Sequence, residues 1–180
     1  MALKATIYKA TLHVADMGRN YYGEHALTVA RHPSETDERM MLRILAFALN
    51  AGEQLAFGKG LSDTDEPDLW QKDLTGAIEH WIEVGQPDDK RLLRACGRAA
   101  QVTVYSYGSR AEVWWKSVAD ALARAGNLSV WRIPGEASAA LAALAARGMA
   151  LQCTVQDGHV WMSDAERTVQ MEPIALQIAS

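Results

Sequence analysis

Residues 77–107 read AIEHWIEVGQPDDKRLLRACGRAAQVTVYSY, and their pattern decides the fold. Over 78–84 the chain alternates as a strand does, with Glu79, Trp81 and Glu83 on one side and His80 on the other. Gln86-Pro87 ends that strand, and Pro87-Asp88 opens a helix running to about Ala99. Leu92, Ala95, Cys96 and Ala99 form its core stripe, while Arg91, Arg94 and Arg98 share another face. The β-branched and aromatic run over 102–107 predicts the next strand.

Outward from this unit, two short strands are expected upstream, at 55–58 and 68–72. Before them Pro33-Ser34 opens a helix that reaches about Asn50, with Ser34 as its cap and Asp37 three residues on. Its solvated face carries Glu35, Arg39 and Arg43. Residues 4–15 and 24–31 alternate as two half-buried strands joined by MGRNYYGE. Downstream, Ser109 and Glu112 form a capping box for a helix holding Trp114, Val118 and Leu122. A strand at 128–133, an alanine-rich helix at 136–147, a hairpin turning at Asp157-Gly158 and a last strand at 168–174 complete the chain. The expectation is a single mixed α/β domain over residues 1–180, with a mixed β-sheet and flanking helices.

The 180 residues are 49% hydrophobic and 22% charged, an ordinary globular composition that excludes intrinsic disorder and collagen-like repeats. No apolar run approaches the roughly 20 residues that a bilayer-crossing helix needs, so no membrane partner is expected. The opening MALKATIYKATLHV lacks a secretory apolar core. Only Cys96 and Cys153 are present, too few for a disulfide framework or a thiolate zinc site, so a cytoplasmic protein with two free thiols is expected. The net charge of −4 argues against a protein that coats nucleic acid, yet the charge is unevenly placed. Residues 61–89 hold nine acids against one lysine, whereas residues 90–110 hold Lys90, Arg91, Arg94, Arg98 and Arg110 with no acid. An acidic segment is followed at once by a basic one.

From Ser34 onward the order is helix, three strands, helix, strand, which resembles the minimal core of the PD-(D/E)XK nucleases. That core places one acid at the start of its second strand and an acid-x-lysine in its third. Here Pro67-Asp68 and Glu83-Val84-Gly85 fall at those positions. Carboxylates from neighbouring strands can hold Mg²⁺ through oxygen, and the ion in turn acidifies a bound water. Glu38, flanking the first helix's buried face, is a further candidate metal ligand. The lysine position holds Gly85, so a migrated cation is needed, and Lys90 is the candidate. Arg91 remains charged at any working pH and does not replace a lysine in proton transfer. Arg91, Arg94 and Arg98 fit a phosphate backbone of DNA or RNA, since guanidinium forks match phosphate oxygens. Each residue also has a plainer use. Asp68 suits a strand entry, Glu38 a helix dipole, Glu83 a salt bridge to Lys90 or Arg91, and the arginines a solvated face. The five histidines are dispersed with no metal-ligand spacing.

Longer segments carry a second resemblance. MALKATIYKATLHVAD, TVARHPSETDERMMLRILAFAL, WIEVGQPDDKRL, NLSVWRI and LQCTVQDGHVWMSD together identify the chain as a member of the YaeQ family over nearly its whole length. The resemblance implies a compact α/β fold with a nuclease-like core, N-terminal strands added before it and a C-terminal hairpin after it. It implies no particular activity. Two functions remain: a Mg²⁺-dependent phosphodiesterase using Asp68, Glu83 and Lys90, or an inactive descendant that binds nucleic acid or a protein.

Overall fold

The computed structural model describes residues 4–180. Along the chain these form β1 (Thr6–Asp16), β2 (Tyr21–Arg31), α1 (Asp37–Leu49), β3 (Leu55–Phe57), β4 (Leu69–Lys72), β5 (Ile78–Val84), α2 (Asp89–Arg98) and β6 (Ala99–Ser106). Then come α3 (Ala111–Leu122), β7 (Leu128–Arg132), α4 (Gly135–Ala142), β8 (Gly148–Gln156), β9 (His159–Ser163), β10 (Thr168–Met171) and β11 (Ile174–Gln177). The result is a mixed α/β fold with two mixed sheets. Its contacts group into two compact units, one running to Ala51 and including Glu136–Pro173, the other comprising Gly52–Gly135 and Ile174–Ser180. Among the described residues no helix is long and apolar enough to cross a membrane.

In the first unit the strand order is β10-β9-β8-β1-β2. β1 and β2 pair antiparallel in unbroken register from Thr6↔Arg31 to Asp16↔Tyr21, longer than the alternation alone marked out. Asp16 fixes the turn by accepting from Arg19 N and Nε, and Asn20 takes the left-handed backbone that closes it. The hairpin of β8 and β9 turns as expected at Asp157-Gly158, both with positive φ, which suits a type I′ turn. α1 packs beside β1 and β2, where Phe47 meets the His25 ring edge-on.

Two details of α1 differ from the sequence reading. Ser34 turns back onto His32, its Oγ 2.7 Å from Nδ1, and Thr36 caps the helix instead by accepting from Arg39 N at 3.1 Å. Glu35 and Arg43 are not solvated. Both are buried as an ion pair, with Arg43 Nη2 2.5 Å and Nε 2.9 Å from the two Glu35 oxygens, and Arg39 joins at 2.7 Å. The Arg43 guanidinium also donates to Ala30 O at the end of β2, a tertiary acceptor that helical periodicity does not announce.

The second unit has the order β11-β7-β6-β5-β4-β3. β5, β6 and β7 run parallel, and β4 and β3 continue antiparallel from β5. The Asp88 carboxylate caps α2 by accepting from Arg91 N at 2.7 Å. Leu92, Ala95, Val118 and Leu122 from α2 and α3 pack on Trp81, Val102, Val104, Leu128 and Val130 of the sheet, forming this unit's core. The capping box expected at Ser109 is absent, since Arg110 enters α3 already helical and with no side-chain cap. α4 stops at Ala142, beyond which 143–145 tighten into i→i+3 turns. The single strand expected at 168–174 is two. β10 pairs with β9 and β11 with β7, and the break falls at Met171-Pro173, where proline cannot continue a ladder.

Candidate functional site

The element order read from the sequence is present, and its three strands, second helix and last strand lie together in the second unit. β4 and β5 pair with Leu69↔Ile82 and Trp70↔Trp81. One step beyond that register Asp68 and Glu83 stand opposite each other, on the same sheet face as the two tryptophans. Both carboxylates are buried, Asp68 at 3% and Glu83 at 4% exposure. Asp68 Oδ2 accepts from Val84 N at 2.8 Å, and a positive-φ Gly60 lies so close that a Cβ there would meet Asp68 Oδ1 at 2.8 Å.

Glu83 has a different partner. Arg91, one turn into α2, places Nε 2.5 Å from Glu83 Oε1. The same guanidinium donates to the carbonyls of Thr64 and Glu66. Lys90, the residue expected to reach back, is exposed in the first turn and has no ion-pair partner among the described residues. Burial raises the Glu83 pKa, Arg91 opposes that shift, and the Asp68 charge adds to it. Glu83 Oε2 and Trp81 Nε1 are both buried without a hydrogen bond.

Gly85 stands at the end of β5, where the sequence reading looked for a lysine. Its φ is +113°, a backbone region in which side-chain-bearing residues are strained, although the space a Cβ would take there is open to 4 Å. The strand therefore ends in a conformation that selects glycine over lysine.

Arg98 stands 5.0 Å and Arg91 6.0 Å from the centre of the Trp81 ring, so two guanidiniums share one indole. Arg98 Nη1 donates to Asp65 O at 3.3 Å. Arg91, Arg94 and Arg98 line one small cleft together with Thr64, Asp65, Trp81 and Ala95. Glu38 is half-buried on α1, in the first unit. Among the described residues no group of three or more His, Cys, Asp or Glu is arranged to hold a metal ion. Mg²⁺ demands near-octahedral oxygen ligation, but here Glu83 Oε1 and its neighbourhood are taken by a fixed guanidinium. With Arg91 so placed, the residues do not fit the ion.

The family model described as "YaeQ protein" matches residues 1–173. The chain belongs to the YaeQ family. The YaeQ proteins of Salmonella typhi and Escherichia coli K12, both described as uncharacterized, are 48% and 47% identical to it over 178 residues, covering 98% of each chain. The crystal structure of YaeQ from Xanthomonas axonopodis pv. citri superposes with a TM-score of 0.94 at 48% identity, covering 98% of this chain and 99% of that one. YaeQ from Pseudomonas syringae gives 0.93 at 38% identity, with 97% of both chains covered.

The sequence reading singled out the acids and the arginine stripe, and missed the carbonyls of Thr64, Asp65 and Glu66 that receive those arginines. Backbone acceptors leave no mark in a sequence. Trp81 did leave one, since it shares the strand face of Glu83.

Proposed function

We propose that this YaeQ protein is a catalytically inactive relative of the PD-(D/E)XK nucleases that works as a nucleic-acid-binding module. The observation that carries the reading is Arg91 against Glu83, a permanently charged guanidinium in the place where such a nuclease holds its cation. Asp68 and Glu83 opposite each other on neighbouring strands support the kinship, and the φ of Gly85 supports the loss of the lysine. Lys90, Arg94 and Arg98 project from α2 as exposed cations suited to phosphate oxygens of DNA or RNA. Binding through them is electrostatic and independent of base sequence.

Fluorescence anisotropy with a labelled DNA duplex and a labelled RNA strand tests this. The Lys90→Gln/Arg94→Gln/Arg98→Gln variant is expected to bind at least about 10-fold more weakly, with its log K against log salt slope shallower by about 2–3. Equal affinity and slope for wild type and variant would refute the module.

One observation favours the second reading, a Mg²⁺-dependent phosphodiesterase. Glu83 Oε2 is a buried acceptor without a partner, and its carboxyl holds its proton more tightly than usual. That reading would require Arg91 to leave Glu83 first, with Asp68 and Glu83 as the ligands and Lys90 as the nearby cation. Plasmid cleavage that requires Mg²⁺ or Mn²⁺, and that disappears in Asp68→Ala/Glu83→Ala, would establish this reading and overturn the first.

A further inference from the structure

We propose that the acidic segment 62–66 is a built-in competitor for the arginine face of α2, holding Arg91 and Arg98 until a polyanion displaces the segment. The inference rests on the nucleic-acid-binding reading and concerns regulation of that same face.

The contacts fall on the basic face of α2. Arg91 donates to the carbonyls of Thr64 and Glu66, and Arg98 to that of Asp65, so three successive residues place an oxygen against this one helix. Thr64 and Asp65 line the same cleft as Arg91, Arg94 and Arg98. Asp63, Asp65 and Glu66 add carboxylates within four residues. A run of carbonyl oxygens against the guanidiniums, in a stretch that carries three acids, imitates the acceptors of a phosphodiester strand.

The segment is also built to leave. Its ends are fixed: Gly58 N donates to Asp68 O at 2.9 Å, and Lys59 N to Glu66 Oε2 at 3.0 Å. Its middle is not part of the core, for Leu61, Ser62, Thr64 and Asp65 are exposed. A guanidinium meets only a dipole at a backbone carbonyl but a full opposite charge at a phosphate oxygen. Exchanging the carbonyls for phosphates is therefore favourable at each arginine. Arg91 keeps its hold on Glu83 throughout, so the sheet is undisturbed.

Two measurements test the device. In the first, duplex affinity is compared for wild type, Asp63→Asn/Asp65→Asn and a control of equal charge change, Glu53→Gln/Asp120→Asn. Asparagine at 63 preserves the turn in which Asp63 Oδ1 accepts from Asp65 N at 2.8 Å. The segment variant is expected to bind about 10-fold tighter than wild type and the control within about 2-fold, because the segment's charges are carried on the stretch whose carbonyls contact the arginines. In the second, amide hydrogen exchange at 63–66 is followed with saturating duplex and is expected to quicken by about 10-fold while β5 and β6 are unchanged. If the duplex binds but the segment variant matches its control, or exchange at 63–66 stays constant or slows, the competitor role is overturned and the binding module stands. If no form binds, the segment variant included, both readings fall.

Discussion

Arg91 Nε lies 2.5 Å from Glu83 Oε1, and with its other nitrogens on Thr64 O and Glu66 O this one side chain ties β5, α2 and the loop before β4 together. Removing it leaves a carboxylate at 4% exposure with no ion partner. Breaking a buried pair costs about 3–5 kcal/mol. Arg91 is itself 26% exposed, so water softens the loss and about 2–3 kcal/mol is expected for Arg91→Ala by urea denaturation. Adding Glu83→Gln to Arg91→Ala is expected to recover roughly half of that loss, since no charge is then stranded. A double variant no more stable than Arg91→Ala would contradict the coupling.

The raised pKa of Glu83 gives the pH dependence a definite sign. In the folded state this carboxyl holds its proton more tightly than in the unfolded chain, whose reference value is 4.5. Between 4.5 and the raised value the folded state binds more protons, so stability falls as pH rises through that window. Comparing wild type with Glu83→Gln across this range, the difference in unfolding free energy is expected to shift against wild type as pH increases. A difference that is flat, or that moves in wild type's favour, would show that Arg91 outweighs burial.

Patterns that depend on neighbours in the chain were legible, and those that depend on distant groups were not. The strands of residues 55–57, 69–72 and 78–84 and the start of α2 after Pro87-Asp88 could be read because alternation and helix-start signals are local. Glu35 and Arg43 looked solvated because their i, i+8 spacing marks one helix face, but it does not reveal the Ala30 carbonyl that helps bury that face. At the candidate site the two acids and the basic stripe were visible as residue types. Which cation meets Glu83 was not, because Lys90 and Arg91 are adjacent and only the direction of α2 chooses between them.

Three glycines separate backbone need from available space. Gly58→Ala would bring a Cβ to 2.2 Å from Pro67 O, so the loop entering β4 must move, and a loss of at least about 2 kcal/mol is expected. Gly85→Ala meets no atom within 4 Å but keeps a φ of +113°, so about 1–2 kcal/mol is expected to be lost through the backbone alone. Gly97, inside α2, has open space and an ordinary helical backbone, and Gly97→Ala is expected to stabilise by about 0.5–1 kcal/mol. Denaturant midpoints for the three variants check the order. A stabilising Gly85→Ala would mean that the positive φ at this strand end does not select glycine.

The two thiols should report on the two units separately. Cys153 lies in β8 between Val14 and Met162, and burial, with the Asp16 charge adding, pushes its pKa up to about 12. Almost none of it is thiolate at pH 8, and the sheet blocks access, so it reacts only when the first unit opens. Cys96, on α2, is raised by partial burial but is half-exposed. With an aromatic disulfide reagent at pH 8, Cys96 is expected to be modified slowly without denaturant, and Cys153 only at a rate that climbs with urea as unfolding does. Trapping by alkylation followed by peptide mass analysis distinguishes the two sites. If Cys153 were labelled as fast as Cys96 in the absence of urea, the packing described for β8 would be wrong.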